Sequence, residues 1–100
     1  MIQRSVFANS PARERKLKRE KIAKDSIRNL KARVKRNENK VEIYEGYVKI
    51  YRNKALSAKT KKQKQYYHKR KRDYENKIIK LRLKIKKDRE LIEDFEKILE

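Results

Sequence analysis

His68 is the only histidine, and it precedes the run Lys69-Arg70-Lys71-Arg72. An imidazole that moves protons or holds a metal needs a carboxylate, a thiolate or a second imidazole beside it. The chain has no cysteine, and residues 49–72 contain no acid. His68 therefore reads as solvated or as a phosphate contact. Glu93 and Asp94 are adjacent carboxylates, but they belong to an acidic run that reads as a solvated helix end rather than a general acid–base pair. Asp88 falls on an apolar stripe and reads as a polar residue that sets register; the alternative is a buried acid paired with Arg28 or Lys31. The single glycine excludes a glycine-rich phosphate loop. These residues point to no catalytic group, no metal site and no cofactor, and the expected class is non-enzymatic.

The chemistry that remains is attraction for polyanions. Formal net charge is +19, and residues 49–72 hold 11 basic and no acidic residues. Five tyrosines lie in or beside that stretch: Tyr47, Tyr51, Tyr66, Tyr67 and Tyr74. Cations interleaved with rings suit nucleic acid, because cations neutralise phosphates and rings stack on bases. The candidate contacts are Lys54, Lys59, Lys61, Lys62, Lys64, Tyr66, Lys69, Arg70 and Arg72. Tyr66 is the stacking candidate, since it lies off the apolar stripe. Phosphate contacts carry little sequence information, so low specificity is expected, for DNA or RNA alike.

The elements that position these residues follow from periodicity. One stripe runs Ala23, Ile27, Leu30, Val34, Asn37, Val41, Tyr44, Val48, Tyr51, Ala55, Ala58, at alternating spacings of four and three. A second runs Tyr67, Lys71, Tyr74, Ile78, Leu81, Ile85, Asp88, Ile92, Phe95, Leu99. Such spacing between charged residues predicts an antiparallel coiled coil. The two stripes are out of phase by two residues, which neither a stutter nor a stammer explains. A break near Ser57–Lys61 removes the conflict, with Thr60 and Gln63 as a capping box. The expected chain is all-α: an arm over 1–10, then one helical-hairpin domain over 11–100. Its helix one covers about 11–56, its turn about 57–60 and its helix two about 61–99. Ser10-Pro11 is the expected start of helix one. A basic-region zipper is excluded, because the heptad already runs through Asn29–Arg36.

Register can be read from residue numbers. Stripe positions whose numbers sum to 118 or 119 bring Tyr51 to Tyr67, Tyr44 to Tyr74, Val34 to Ile85 and Ala23 to Phe95. Three layers are awkward: Val48 with Lys71, Asn37 with Leu81, and Leu30 with Asp88. A competing reading makes 41–51 a β-hairpin around Glu45-Gly46, because that stretch is rich in β-branched and aromatic residues. Within a helix, Gly46 suggests a kink or a close backbone approach.

Charge supports the fold-back. Residues 13–36 hold 12 basic and 3 acidic residues, whereas 88–100 hold 6 acidic and 2 basic ones. Each placement opposes its own helix dipole, and antiparallel pairing lays the two ends side by side. Ile43, Tyr47 and Ile50 on helix one, with Ile79 and Leu83 on helix two, form apolar flanks beyond the seam. They suggest self-association, or docking on a larger assembly. The expected function is binding of nucleic acid or a ribonucleoprotein surface. The alternatives are a structural component of a virion or large nucleoprotein complex, and a small regulator or inhibitor that docks on a partner protein. No run approaches the roughly 20 apolar residues of a membrane span. The start also lacks a secretory signal, so a cytoplasmic, nuclear or virion location is expected.

Overall fold

In the computed structural model, residues 11–100 are described, and they form two helices: α1, Pro11–Ser57, and α2, Lys61–Leu99. The expected arm, and Ser10 as the N-cap of α1, lie outside the described residues. The helices pack against each other as an extended antiparallel hairpin, and α1 alone spans about 70 Å at 1.5 Å rise per residue. No strand occurs among the described residues, and α1 continues through 41–51. The β-hairpin alternative is thereby overturned, because a seam unbroken across 41–51 outweighs local strand propensity. Gly46 has no positive φ, and a Cβ there would meet nothing within 4 Å. It admits no close backbone approach within the chain.

The chain reverses at Ala58–Thr60. Thr60 has extended backbone, φ −118° and ψ 151°, and its hydroxyl accepts a hydrogen bond from the Gln63 N–H at 3.1 Å. One free donor of the new helix is thus satisfied, and the carbonyl of Thr60 accepts from the Lys64 N–H at 3.0 Å.

The seam is thin. Among the described residues the buried apolar ones are Ala23, Leu30, Val34, Val48, Ala55, Ile78, Ile85 and Ile92, and no large side chain is completely enclosed. Leu30, Val34, Ile85 and Ile92 form one cluster, with Ile27, Val41 and Phe95 packed against it. Toward the turn, aromatic layers replace aliphatic ones. Tyr44 meets Tyr74 with ring centroids 5.5 Å apart, and Tyr51 meets Tyr67 at 6.3 Å. The awkward Val48 layer is eased because half-buried Lys71 extends toward Glu75, 3.8 Å away, keeping its stem on the seam and its charge at the rim.

Candidate nucleic-acid interface

Two helix ends and the turn build the basic tip. The C-terminal turns of α1 supply Lys49, Arg52 and Lys54. The turn supplies Lys59, and the first three turns of α2 supply the rest. Lys59, Lys61, Lys62, Lys64, Lys69 and Arg72 are all exposed. Nothing acidic lies in the first turn of α2, so its positive dipole end adds to the lysines instead of being balanced.

The tyrosines lie beneath this shell. All six tyrosines of the chain belong to one connected set of ring contacts. Tyr74 is its hub: it packs on Tyr44, on Tyr47 at 5.0 Å, and in a near-parallel stack on Tyr51 at 5.9 Å. Cations fill the remaining faces. Arg70 lies 5.6 Å from the Tyr51 centroid and 5.5 Å from that of Tyr74. Lys54 sits over Tyr51 and Tyr67, and Lys77 over Tyr44 and Tyr74. Such contacts are worth about 0.5–1 kcal/mol each at exposed sites.

This packing divides the candidate residues into two groups. The outer lysines and Arg72 present free charge. Arg70 is half-buried, and its Nε is enclosed without a hydrogen-bond partner. Tyr51, by accepting a hydrogen bond and by its electrostatic attraction, holds the Arg70 guanidinium above its ordinary pKa. Arg70 and Lys54 thus also act as lids on the aromatic cluster. Tyr66 is 57% exposed, but its ring packs edge-on against Tyr67 at 5.5 Å. His68 is half-buried and lines a shallow hollow with Gln65, Lys71 and Arg72. Its position was legible as basic surroundings, but the hollow was not.

Away from the tip, three ion pairs cross between the helices. Arg89 donates to Glu38 at 2.6 Å and Arg82 donates to Glu45 at 2.7 Å. Both pairs have residue numbers summing to 127, seven residues apart on each helix. The signal for them was the position directly after each seam residue, which faces its counterpart along one edge of an antiparallel pair. Asp88 is paired with Arg33, not with Arg28 or Lys31. Arg28 bonds Asp25 on its own helix at 3.4 Å. Lys31 directly follows the seam residue Leu30, as Glu38 follows Asn37, and so stands on the opposite edge from Arg33. At the far end, Ala12, Arg15, Lys16, Arg19 and Glu20 of α1 line a groove with Ile98 of α2. The basic start and the acidic finish are therefore side by side.

Ile43, Tyr47, Ile50, Ile79 and Leu83 are exposed at 41–57%. They do not form one surface. Ile79 shares a groove with Glu45 and Arg82 on the ion-paired edge, whereas Tyr47 packs on Tyr74 at the other edge. Among the described residues no group of three or more metal-ligating side chains converges, and no helix is long and apolar enough to cross a membrane. Comparison with known protein families, with curated proteins and with solved structures finds no match.

Proposed function

We propose that this protein is a non-enzymatic nucleic-acid-binding hairpin whose basic tip engages phosphates with little sequence preference. One observation carries the reading. Residues 49–72 fold eleven cations and no carboxylate around a single turn. Of these only Lys71 meets a carboxylate, that of Glu75, while on the arms Asp88, Glu45 and Glu38 pair with Arg33, Arg82 and Arg89. Concentrated positive charge repels itself and costs stability unless a polyanion neutralises it. The rings of the tip are largely occupied by one another and by Arg70, Lys54 and Lys77. This favours phosphate contact over base stacking, with Tyr66 the ring left most open.

Charge reversal tests the assignment. Lys61→Glu, Lys62→Glu and Arg72→Glu together should weaken binding to duplex DNA or RNA by more than about tenfold, because three phosphate contacts are lost. The same number of reversals at Arg15, Lys16 and Arg19 should weaken it far less. Equal losses from both sets would refute the tip as the site.

A second reading is a coiled-coil component of a virion or large nucleoprotein assembly, located with that assembly in cytoplasm or nucleus. The exposed surface favours it: 8758 Å² for this chain, against about 6,100 Å² for a globular monomer of 12.3 kDa. Self-association into a bundle would cover the exposed flanks. Sedimentation of the protein alone distinguishes the two, since a monomer at micromolar concentration contradicts the self-assembling form.

A further inference from the structure

The hairpin has two unlike edges. On one, Glu38–Arg89 and Glu45–Arg82 close the groove between the helices with cross-helix ion pairs. The other carries residues that directly precede seam positions: Lys40 and Tyr47 on α1, then Lys77, Lys84 and Leu91 on α2. Here like charges face each other. No acid occurs between 76 and 87, Asp88 is held by Arg33, and Asp73, between Arg70 and Lys77, is outnumbered by the cations around it.

On this open edge Ile43, Tyr47 and Ile50 are 56%, 41% and 47% exposed. Their spacing of four and three places them on one helical face. The aromatic of the three is fixed in place, because its ring is packed on Tyr74 at 5.0 Å. An apolar stripe of this kind is a seat for a third helix at an axis separation of about 8–10 Å. Lys40 and Lys54 flank it along α1, and Arg70, which lies over Tyr74, and Lys77 flank it on α2, with Asp73 the one acid beside them.

From this pairing of apolar stripe and cationic border we infer that the open edge docks an acidic amphipathic helix of a partner protein. Three apolar side chains of that helix lie on Ile43, Tyr47 and Ile50, and its carboxylates meet the bordering cations. Nucleic acid is a poor occupant, since Ile43 and Ile50 offer it neither charge nor a stacking face. A second copy of this chain is disfavoured by charge. Parallel pairing on this edge sets Lys77 against itself, and antiparallel pairing sets it against the basic tip of the other copy. Like charges at a contact oppose it. The site adjoins the tip proposed to hold phosphates and uses none of the exposed cations Lys59, Lys61, Lys62, Lys64, Lys69 and Arg72 assigned to it.

The test uses the full chain and two labelled synthetic helical peptides of about three heptads. One carries leucines on one face and glutamates elsewhere, and the other replaces the leucines by serine at the same net charge. At physiological ionic strength the leucine peptide should bind at least about tenfold more tightly, as expected for burying several apolar side chains. Ile43→Ser with Ile50→Ser should remove that advantage. Ile79→Ser with Leu83→Ser, on other faces, should keep it. Both pairs are exposed, and circular dichroism verifies that the helices persist. Affinity for duplex DNA should be unchanged in either variant. Equal binding of the two peptides overturns the inference, as does equal loss from both variants. So does a dimer of the chain alone that the Ile43 and Ile50 changes abolish, because the occupant is then a second copy.

Discussion

Arg33 grips Asp88 across the seam with two parallel hydrogen bonds of 2.7 Å, Nε to Oδ2 and Nη2 to Oδ1. Asp88 is 5% exposed, the one buried charge among the described residues, and it faces Leu30 in a layer that would otherwise be aliphatic. A bidentate guanidinium–carboxylate pair fixes geometry as well as charge. It therefore specifies which residues of α1 and α2 are opposite, in a seam whose apolar layers would tolerate sliding.

The pair makes stability depend on acid. Hydrogen bonding to Arg33 holds the Asp88 carboxyl below its ordinary pKa, against the opposing effect of burial. A carboxyl with a lowered folded pKa contributes stability that is complete above its unfolded value, about 4. That contribution is lost as pH falls through the lower folded value. Thermal midpoints should therefore fall below about pH 4, and the fall should be smaller in Asp88→Leu, which has no such carboxyl. An identical pH profile in both proteins contradicts the role of Asp88.

At neutral pH the same residues separate stability from specificity. Arg33→Ala leaves a buried carboxylate unpaired and should cost about 1–3 kcal/mol in urea unfolding. Asp88→Leu should be neutral or stabilising, because an apolar layer replaces a desolvated ion pair. Arg33→Ala as mild as a surface change would show that the pair is solvated.

Edge pairs should behave as a code for register. Arg82→Glu places like charges at Glu45 and should lower stability by about 0.5–1 kcal/mol, and Glu45→Arg in the same chain should recover most of the loss. Two further pairs obey the same numerical rule: Lys31 with Glu96 and Arg52 with Glu75, each summing to 127. Additive losses in the double variant would show that the two residues do not interact in solution.

Gly46 supplies the simplest stability test. It is helical, its φ is not positive, and a methyl group there is unopposed. Gly46→Ala should stabilise the hairpin by about 1 kcal/mol, from helix propensity alone. A loss of stability would place another chain or a kink at that position.

Much of the fold could be read from spacing. The phase jump between the two stripes required a reversal, and layers such as Tyr44 with Tyr74 followed from residue numbers. Thr60, three residues before Gln63, marked the start of α2. Less legible was the region beside the seam. Arg33 reaches Asp88 from about one turn away, beside the Val34–Ile85 layer, so residue numbers alone did not single it out over Arg28 or Lys31. The tip shows the same limit. Its charge was plain from composition, but only packing reveals that Arg70 covers rings while Lys61 and Lys62 face outward. Side-chain reach and direction, unlike periodicity, are set by what lies across the seam.

The most direct test of phosphate binding by the tip is the affinity for a short duplex measured over a series of salt concentrations. Six of the exposed tip cations, Lys59, Lys61, Lys62, Lys64, Lys69 and Arg72 on the turn and α2, should release counterions on binding. The plot of log affinity against log salt should then fall with a slope of about −5. Reversing Lys61, Lys62 and Arg72 should reduce that slope by about 3. A flat plot, or a steep one that those reversals leave unchanged, would contradict the account.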